Sequence, residues 1–89
     1  MIEQSVTLIN KLGLHARAAN KLLDTTCRFQ SSIRLNFNGK EADGKSIMSV
    51  MLLAAPVGSE IILTINGDDE SDMLEAIIQL INNRFDESE

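Results

Sequence analysis

The chain has no Trp and no Tyr, and its only aromatics are three Phe residues among 89. Single-stranded nucleic acids are gripped on aromatic stacking platforms, so that mode of binding lacks its side chains here. Basic residues are outnumbered as well, 8 Lys and Arg against 13 Asp and Glu, for a net charge of −5. A surface of that sign repels a phosphate backbone, which excludes nucleic acid as the expected partner. A single cysteine, Cys27, leaves no internal disulfide to form. No N-terminal pattern of charged, apolar and small residues marks secretion, so a reducing cytoplasm is the expected setting. No apolar run approaches the roughly 20 residues that cross a bilayer, and membrane insertion is not expected.

What remains is the material of one small core. A chain of 89 residues is too short to divide, so residues 1–89 are read as a single domain. Its 44% hydrophobic content is ordinary for a globular protein and mostly aliphatic. Ile2, Val6 and Leu8 alternate with Glu3, Ser5 and Thr7, the period-two pattern of a half-buried strand that ends near Asn10. Ile33, Leu35 and Phe37 repeat it and run into Asn38-Gly39, a pair suited to the two positive φ angles of a tight hairpin, with residues 40–43 returning. Ile61, Leu63 and Ile65 give a fourth strand that stops at Asn66-Gly67.

Helical spacing fills the gaps. Ala16, Ala19, Leu22, Leu23, Thr26 and Cys27 recur every three to four residues, predicting a helix over residues 16–28 with Cys27 in the core. Leu74, Ile77, Ile78, Ile81 and Phe85 do the same more strongly, preceded by Asp68, Asp69, Glu70 and Asp72 and followed by Arg84. A shorter segment over 46–53 has Ser46 as N-cap and Ile47, Met48, Met51 and Leu52 as its apolar content. The order is βαββαβα, an α+β fold in which a four-stranded antiparallel sheet carries three helices on one face. The final acidic run, Asp86, Glu87, Ser88 and Glu89, reads as a solvated end.

The start of the first helix breaks local rules. His15 stands at the N-cap, where Ser, Thr, Asp or Asn would satisfy an amide, and Arg17 puts a cation at the positive end of the helix dipole. A lone His in a small domain is as a rule surface or filler, but such violations concentrate at functional sites. What this end offers is an anion site: the first-turn amides of Ala16 and Arg17, the dipole and a guanidinium converge beside one imidazole. A negatively charged group attached to His15 would be stabilised there, and phosphoryl is the obvious candidate. A metal is disfavoured, because His15 is the sole histidine and a positive helix end opposes a cation.

A second signal misleads. Gly39-Lys40-Glu41-Ala42-Asp43-Gly44-Lys45-Ser46 satisfies the G-x-x-x-x-G-K-S spacing of a nucleotide-binding loop. Here Gly39 completes a hairpin turn, and Glu41 and Asp43 would turn negative charge toward phosphates, so the nucleotide reading is rejected. Ser46 reads first as a structural cap, and a phosphoryl group added there would sit favourably on a helix end. Ile47, Met48 and Met51 fit either a core or an adaptable protein-binding surface.

The run Asn10-Lys11-Leu12-Gly13-Leu14-His15-Ala16-Arg17-Ala18-Ala19, with Gly44-Lys45-Ser46-Ile47-Met48-Ser49-Val50-Met51, resembles the HPr family of histidine-containing phosphocarriers of the bacterial phosphoenolpyruvate-dependent phosphotransferase system. The resemblance covers nearly the whole chain. It implies an open-faced β-sandwich and a monomer without cofactor, a phosphoryl-transfer intermediate rather than a self-sufficient enzyme. It implies that His15 accepts a phosphoryl group through Nδ1 from phosphorylated enzyme I and passes it to IIA domains, with Arg17 steadying it. It further implies a docking patch at Ile47, Met48 and Met51 with Lys21 beside it, and at Ser46 the site that an HPr kinase/phosphorylase modifies in some bacteria. Ala18 replaces the family's usual Pro, and Asp24 and Cys27 stand where many members carry basic residues. The alternative is a regulatory interaction module of the nitrogen-related branch without a transport role.

Overall fold

Two residue periods, two for strands and 3.6 for helices, sort the chain into a sheet and its cover. A computed structural model describes residues 1–88. Four antiparallel strands, β1 (Ile2–Thr7), β2 (Ser32–Phe37), β3 (Lys40–Asp43) and β4 (Glu60–Asn66), lie in the order β1-β4-β2-β3. Central β4 sets Ile61 opposite Val6 and Ile65 opposite Ile2 on one side, and Leu63 opposite Leu35 and Ile65 opposite Ile33 on the other. That register stacks Ile33, Leu35, Ile61, Leu63 and Ile65 on one buried face. Ser32, Arg34, Glu60 and Ile62 point to solvent on the other. β1 ends at Thr7, three residues short of Asn10. Leu8 still exchanges bonds with the turn before β4, its amide donating to the Ser59 carbonyl and its carbonyl accepting the Gly58 amide, and at Gly58, with φ 85, the pairing ends.

Three helices cover the buried face: α1 (Ala16–Thr26), α2 (Ile47–Leu52) and α3 (Glu70–Asn82). In α1 the buried line is Ala18, Ala19, Leu22, Thr25 and Thr26. Cys27 is exposed, contrary to the expectation of a core residue, because the helix ends at Thr26 and Cys27 caps it on the solvent side. In α3 the line is Met73, Ile77 and Ile81, and Phe85 is buried beyond its end. Arg84 falls outside the last turn of α3, in a turn over Arg84–Asp86 whose three residues all have left-handed φ angles of 55, 53 and 63°. Asp69 stands at the N-cap of α3 but spends its carboxylate elsewhere. It accepts the Gln30 amide at 2.8 Å, the Ser31 amide at 2.9 Å and the Ser31 hydroxyl, tying the α1–β2 connection to α3.

The β2–β3 hairpin closes through Asn38 and Gly39, at φ 52 and 83°, with Phe37 opposite Lys40. The Lys45 ammonium donates to the Phe29 carbonyl at 2.7 Å. Gly39 therefore serves a turn and Lys45 a structural bond, and the nucleotide-loop spacing has no loop behind it. Among the described residues no helix is long and apolar enough to cross a membrane.

Candidate functional site

The loop over residues 8–15 is fixed at both ends. Its Leu8 carbonyl accepts the Gly58 amide at 2.8 Å, and the Leu14 amide donates to the Ala55 carbonyl at 2.9 Å. Gly13 has φ 65, and a Cβ there would collide with the Ala55 carbonyl oxygen and the Pro56 backbone, so only glycine lets the loop lie this close. Asn10, fully buried, donates its side-chain amide to the Gly13 carbonyl at 2.8 Å. These bonds deliver His15 to the N-cap of α1 in an extended conformation, where its carbonyl accepts the Ala19 amide at 2.8 Å. The imidazole makes no capping bond, and α1 has no acidic residue in its first turn. The first-turn amides thus keep their positive end open toward the space in front of His15.

His15, Ala16 and Arg17 line an open cleft with Leu12 on one side and Asp86, Glu87 and Ser88 on the other. Glu87 is the residue the sequence reading did not anticipate. Its carboxylate accepts from Asn10 Nδ2 at 3.1 Å and meets His15 Nε2 at 2.5 Å. The acidic run is therefore not a solvated end at Glu87, and Glu89 lies outside the described residues. Burial pushes the Glu87 carboxyl up, but hydrogen bonds from Asn10 and His15 and electrostatic attraction to His15 and Arg17 outweigh it and hold the group below the usual carboxylate range. The signal available was an apolar anchor, Phe85, followed directly by acids that complement a His and an Arg. Asn10 belongs to the motif, but nothing in its residue type announces a role.

The other expected residues are distributed around this centre. Lys21, one turn along α1 from Arg17, reaches Asp86 with a 3.4 Å bond at the rim. A second depression joins His15 and Ala16 to Leu12, Met51, Ala54 and Pro56, so Met51 is brought to the site. Met48 and Leu12 are exposed to 64 and 65% and extend an apolar surface, while Ile47 packs half-buried against the core. Leu12, not foreseen as a contact residue, belongs to that surface. Ser46 occupies the N-cap of α2 and its hydroxyl makes no capping bond. It sits at the far end of α2 from Met51, about 7–8 Å along the axis at 1.5 Å per residue.

Comparison with known proteins shows what the chain as a whole is similar to. A family model described as PTS HPr component phosphorylation site matches residues 2–83. The phosphocarrier protein HPr of Cupriavidus necator is 47% identical over 89 residues, covering all of both chains. That of Pseudomonas aeruginosa is 49% identical over 85 residues, 94% of each chain. Among solved structures, HPr-C-His from Thermoanaerobacter tengcongensis superposes with a TM-score of 0.95 at 36% identity over the whole of both chains. A phosphocarrier protein HPr from Bacillus anthracis gives 0.86 at 35%, covering 90% of this chain and 95% of that one. These relatives carry the name phosphocarrier, which does not favour a purely regulatory module.

Proposed function

The chain belongs to the HPr family of phosphotransferase-system phosphocarriers, and on that premise we propose that it accepts a phosphoryl group on His15 Nδ1 from phosphorylated enzyme I and passes it to IIA domains for sugar uptake. The observation that supports this reading is the seating of His15 at the amino end of α1, uncapped, in one cleft with Arg17. The Nδ1 lone pair attacks phosphorus in line while the donor's bond to phosphorus breaks, and delivery reverses the step on the acceptor. Ala16 and Arg17 amides with the Arg17 guanidinium hold the phosphoryl oxygens, and the helix dipole favours their charge. The partner enzymes supply most of the catalysis, and this chain supplies a positioned nucleophile.

Docking falls to the apolar surface of Ile47, Met48 and Met51 with Leu12, and to Lys21, which stands at the other rim of the cleft beside Asp86. Methionine suits a surface that serves several partners in turn, because its side chain repacks easily. Ser46 is the proposed regulatory position: a phosphoryl dianion at the head of α2 would set charge beside that surface and weaken docking to acidic partners. The carrier works as a cytoplasmic monomer; the HPr dimer of T. tengcongensis and the swapped Crh dimer of Bacillus subtilis describe those proteins.

The test is nitrogen-resolved NMR of the protein after incubation with enzyme I and phosphoenolpyruvate. A single phosphoramidate whose phosphorus couples to His15 Nδ1 is expected, together with its discharge on adding a IIA domain. Phosphorus on any other atom, or a carrier that loads but does not discharge, would overturn the relay. For Ser46, Ser46→Asp should slow loading without altering the unfolding midpoint, and an unchanged rate would remove the regulatory role.

A further inference from the structure

Glu87 is held more firmly than an acidic run near a chain end requires. Its Oε1 takes the Asn10 amide and its Oε2 faces His15 Nε2. Its side chain is 11% exposed, against 29% for the histidine it touches. The backbone reaches this point through three consecutive left-handed residues, Arg84, Phe85 and Asp86, a conformation that non-glycine residues adopt only at a steric cost. Phe85, buried among the core residues, anchors the turn. Two backbone bonds lock it, Asp86 N to Asn83 O at 3.0 Å and Glu87 N to Arg84 O at 2.9 Å. On the other side, Asn10 commits its NH2 to Gly13 and Glu87 and leaves its own buried Oδ1 without a partner among the described residues. An amide so arranged presents its donor to the carboxylate at the expense of its acceptor.

We propose that Glu87 is a positioning residue for phosphoryl transfer: braced by Asn10, its carboxylate receives the Nε2–H of His15, leaves Nδ1 as the lone-pair nitrogen, and balances the charge the ring gains when Nδ1 bonds phosphorus. The inference rests on the relay reading and deepens it. As the Nδ1–P bond forms and the donor's bond to phosphorus breaks, the ring keeps its Nε2 proton and becomes cationic; no proton leaves. A carboxylate already seated at Nε2 meets that charge without rearranging, which is what an effective electrostatic partner must do. It lies across the ring from the phosphoryl group, so the attraction to the ring is direct and the repulsion of the phosphoryl oxygens is the more distant interaction. Carboxylate, imidazole and reacting centre stand in the order in which an orienting acid fixes a histidine tautomer elsewhere in enzyme chemistry.

The experiment compares the wild-type chain with Glu87→Leu and Glu87→Gln. In the wild type, proton and nitrogen NMR of the imidazole should show a slowly exchanging, far-downfield Nε2–H. Glu87→Leu should lose that signal and accept phosphoryl from phosphorylated enzyme I about tenfold more slowly, the size of one charge-assisted hydrogen bond. Glu87→Gln keeps an acceptor without the charge, so it should retain the signal and recover only part of the rate. A residue that merely ties down the chain would leave the Gln variant at the full wild-type rate. Wild-type loading with an equal Glu87→Leu rate overturns the positioning role alone. Failure of the wild type to load overturns the relay reading and this role with it.

Discussion

At Ala54 the chain carries a left-handed φ of 50° on a residue with a Cβ, just past the end of α2. Glycine takes that conformation without steric cost, and its greater freedom in the unfolded chain offsets only part of the gain. Ala54→Gly should raise stability by about 0.5–1 kcal/mol, read from the shift of a urea midpoint at unchanged slope. The opposite sign holds at Gly13, where Ala meets both a forbidden φ and the backbone of residues 55–56. Gly13→Ala should lose more than about 1 kcal/mol in the same measurement. Single residues also mark where the sequence was least legible. At Cys27 a stripe of three- and four-residue steps points to the core, but it runs on past a helix end that the pattern does not announce. At Glu87 a charge run points to solvent, whereas the left-handed turn before it brings its carboxylate back onto His15.

Asp69 connects two elements rather than capping its own. The Ser31 hydroxyl, then the Gln30 amide, hold its carboxyl below the usual range, with burial opposing them. A carboxyl whose folded pKa is depressed contributes stability that is fully present above its unfolded value of about 3.9 and is lost as pH falls through the folded one. Urea unfolding followed from neutral pH down through the acid range should therefore show a loss that Asp69→Asn flattens; an equal slope in both proteins would deny the bridge its role. At the end of α3, Phe85→Ala removes a fully buried ring and should cost about 3 kcal/mol. It should also release Glu87, so the Nε2–H signal of His15 ought to weaken with it. Elements were where sequence reasoning did best. Strict alternation located the inner face of β2 and β4, Asn38-Gly39 gave the hairpin, and the 3.6-residue stripe gave α3. Boundaries were weaker, because caps such as Asp69 and Ser46 look alike in sequence whether or not their side chains bond the helix.

Seen whole, the molecule sets its sheet under three helices and brings the groups proposed to react and dock together where α1, the end of α2 and the turn after α3 meet. His15 and Arg17 stand out in sequence because they break the rules of a helix start; the spacing of Met51 fits core and surface equally, and the fold leaves it exposed. Their proximity to one another is not legible in sequence, since it depends on how the Ala55 carbonyl pins the Leu14 amide. Under the proposed relay, a chain with net charge −5 would hold a phosphoryl group with positive potential supplied locally by one helix end and one guanidinium, not by the surface as a whole. Docking through the methionine surface should accordingly depend on apolar contact. Met48→Glu is expected to weaken binding to enzyme I about tenfold or more in calorimetry while leaving the unfolding midpoint within about 0.5 kcal/mol of wild type.

The central claim is that His15 carries the phosphoryl group, and intact mass tests it most directly. The wild-type chain and His15→Ala would be incubated with phosphoenolpyruvate and an enzyme I already shown to load its own carrier, then weighed before and after brief acid treatment. The account predicts a gain of one phosphoryl group in the wild type that acid removes and that His15→Ala never acquires. No gain, a gain that survives acid, or an equal gain in the variant would contradict it.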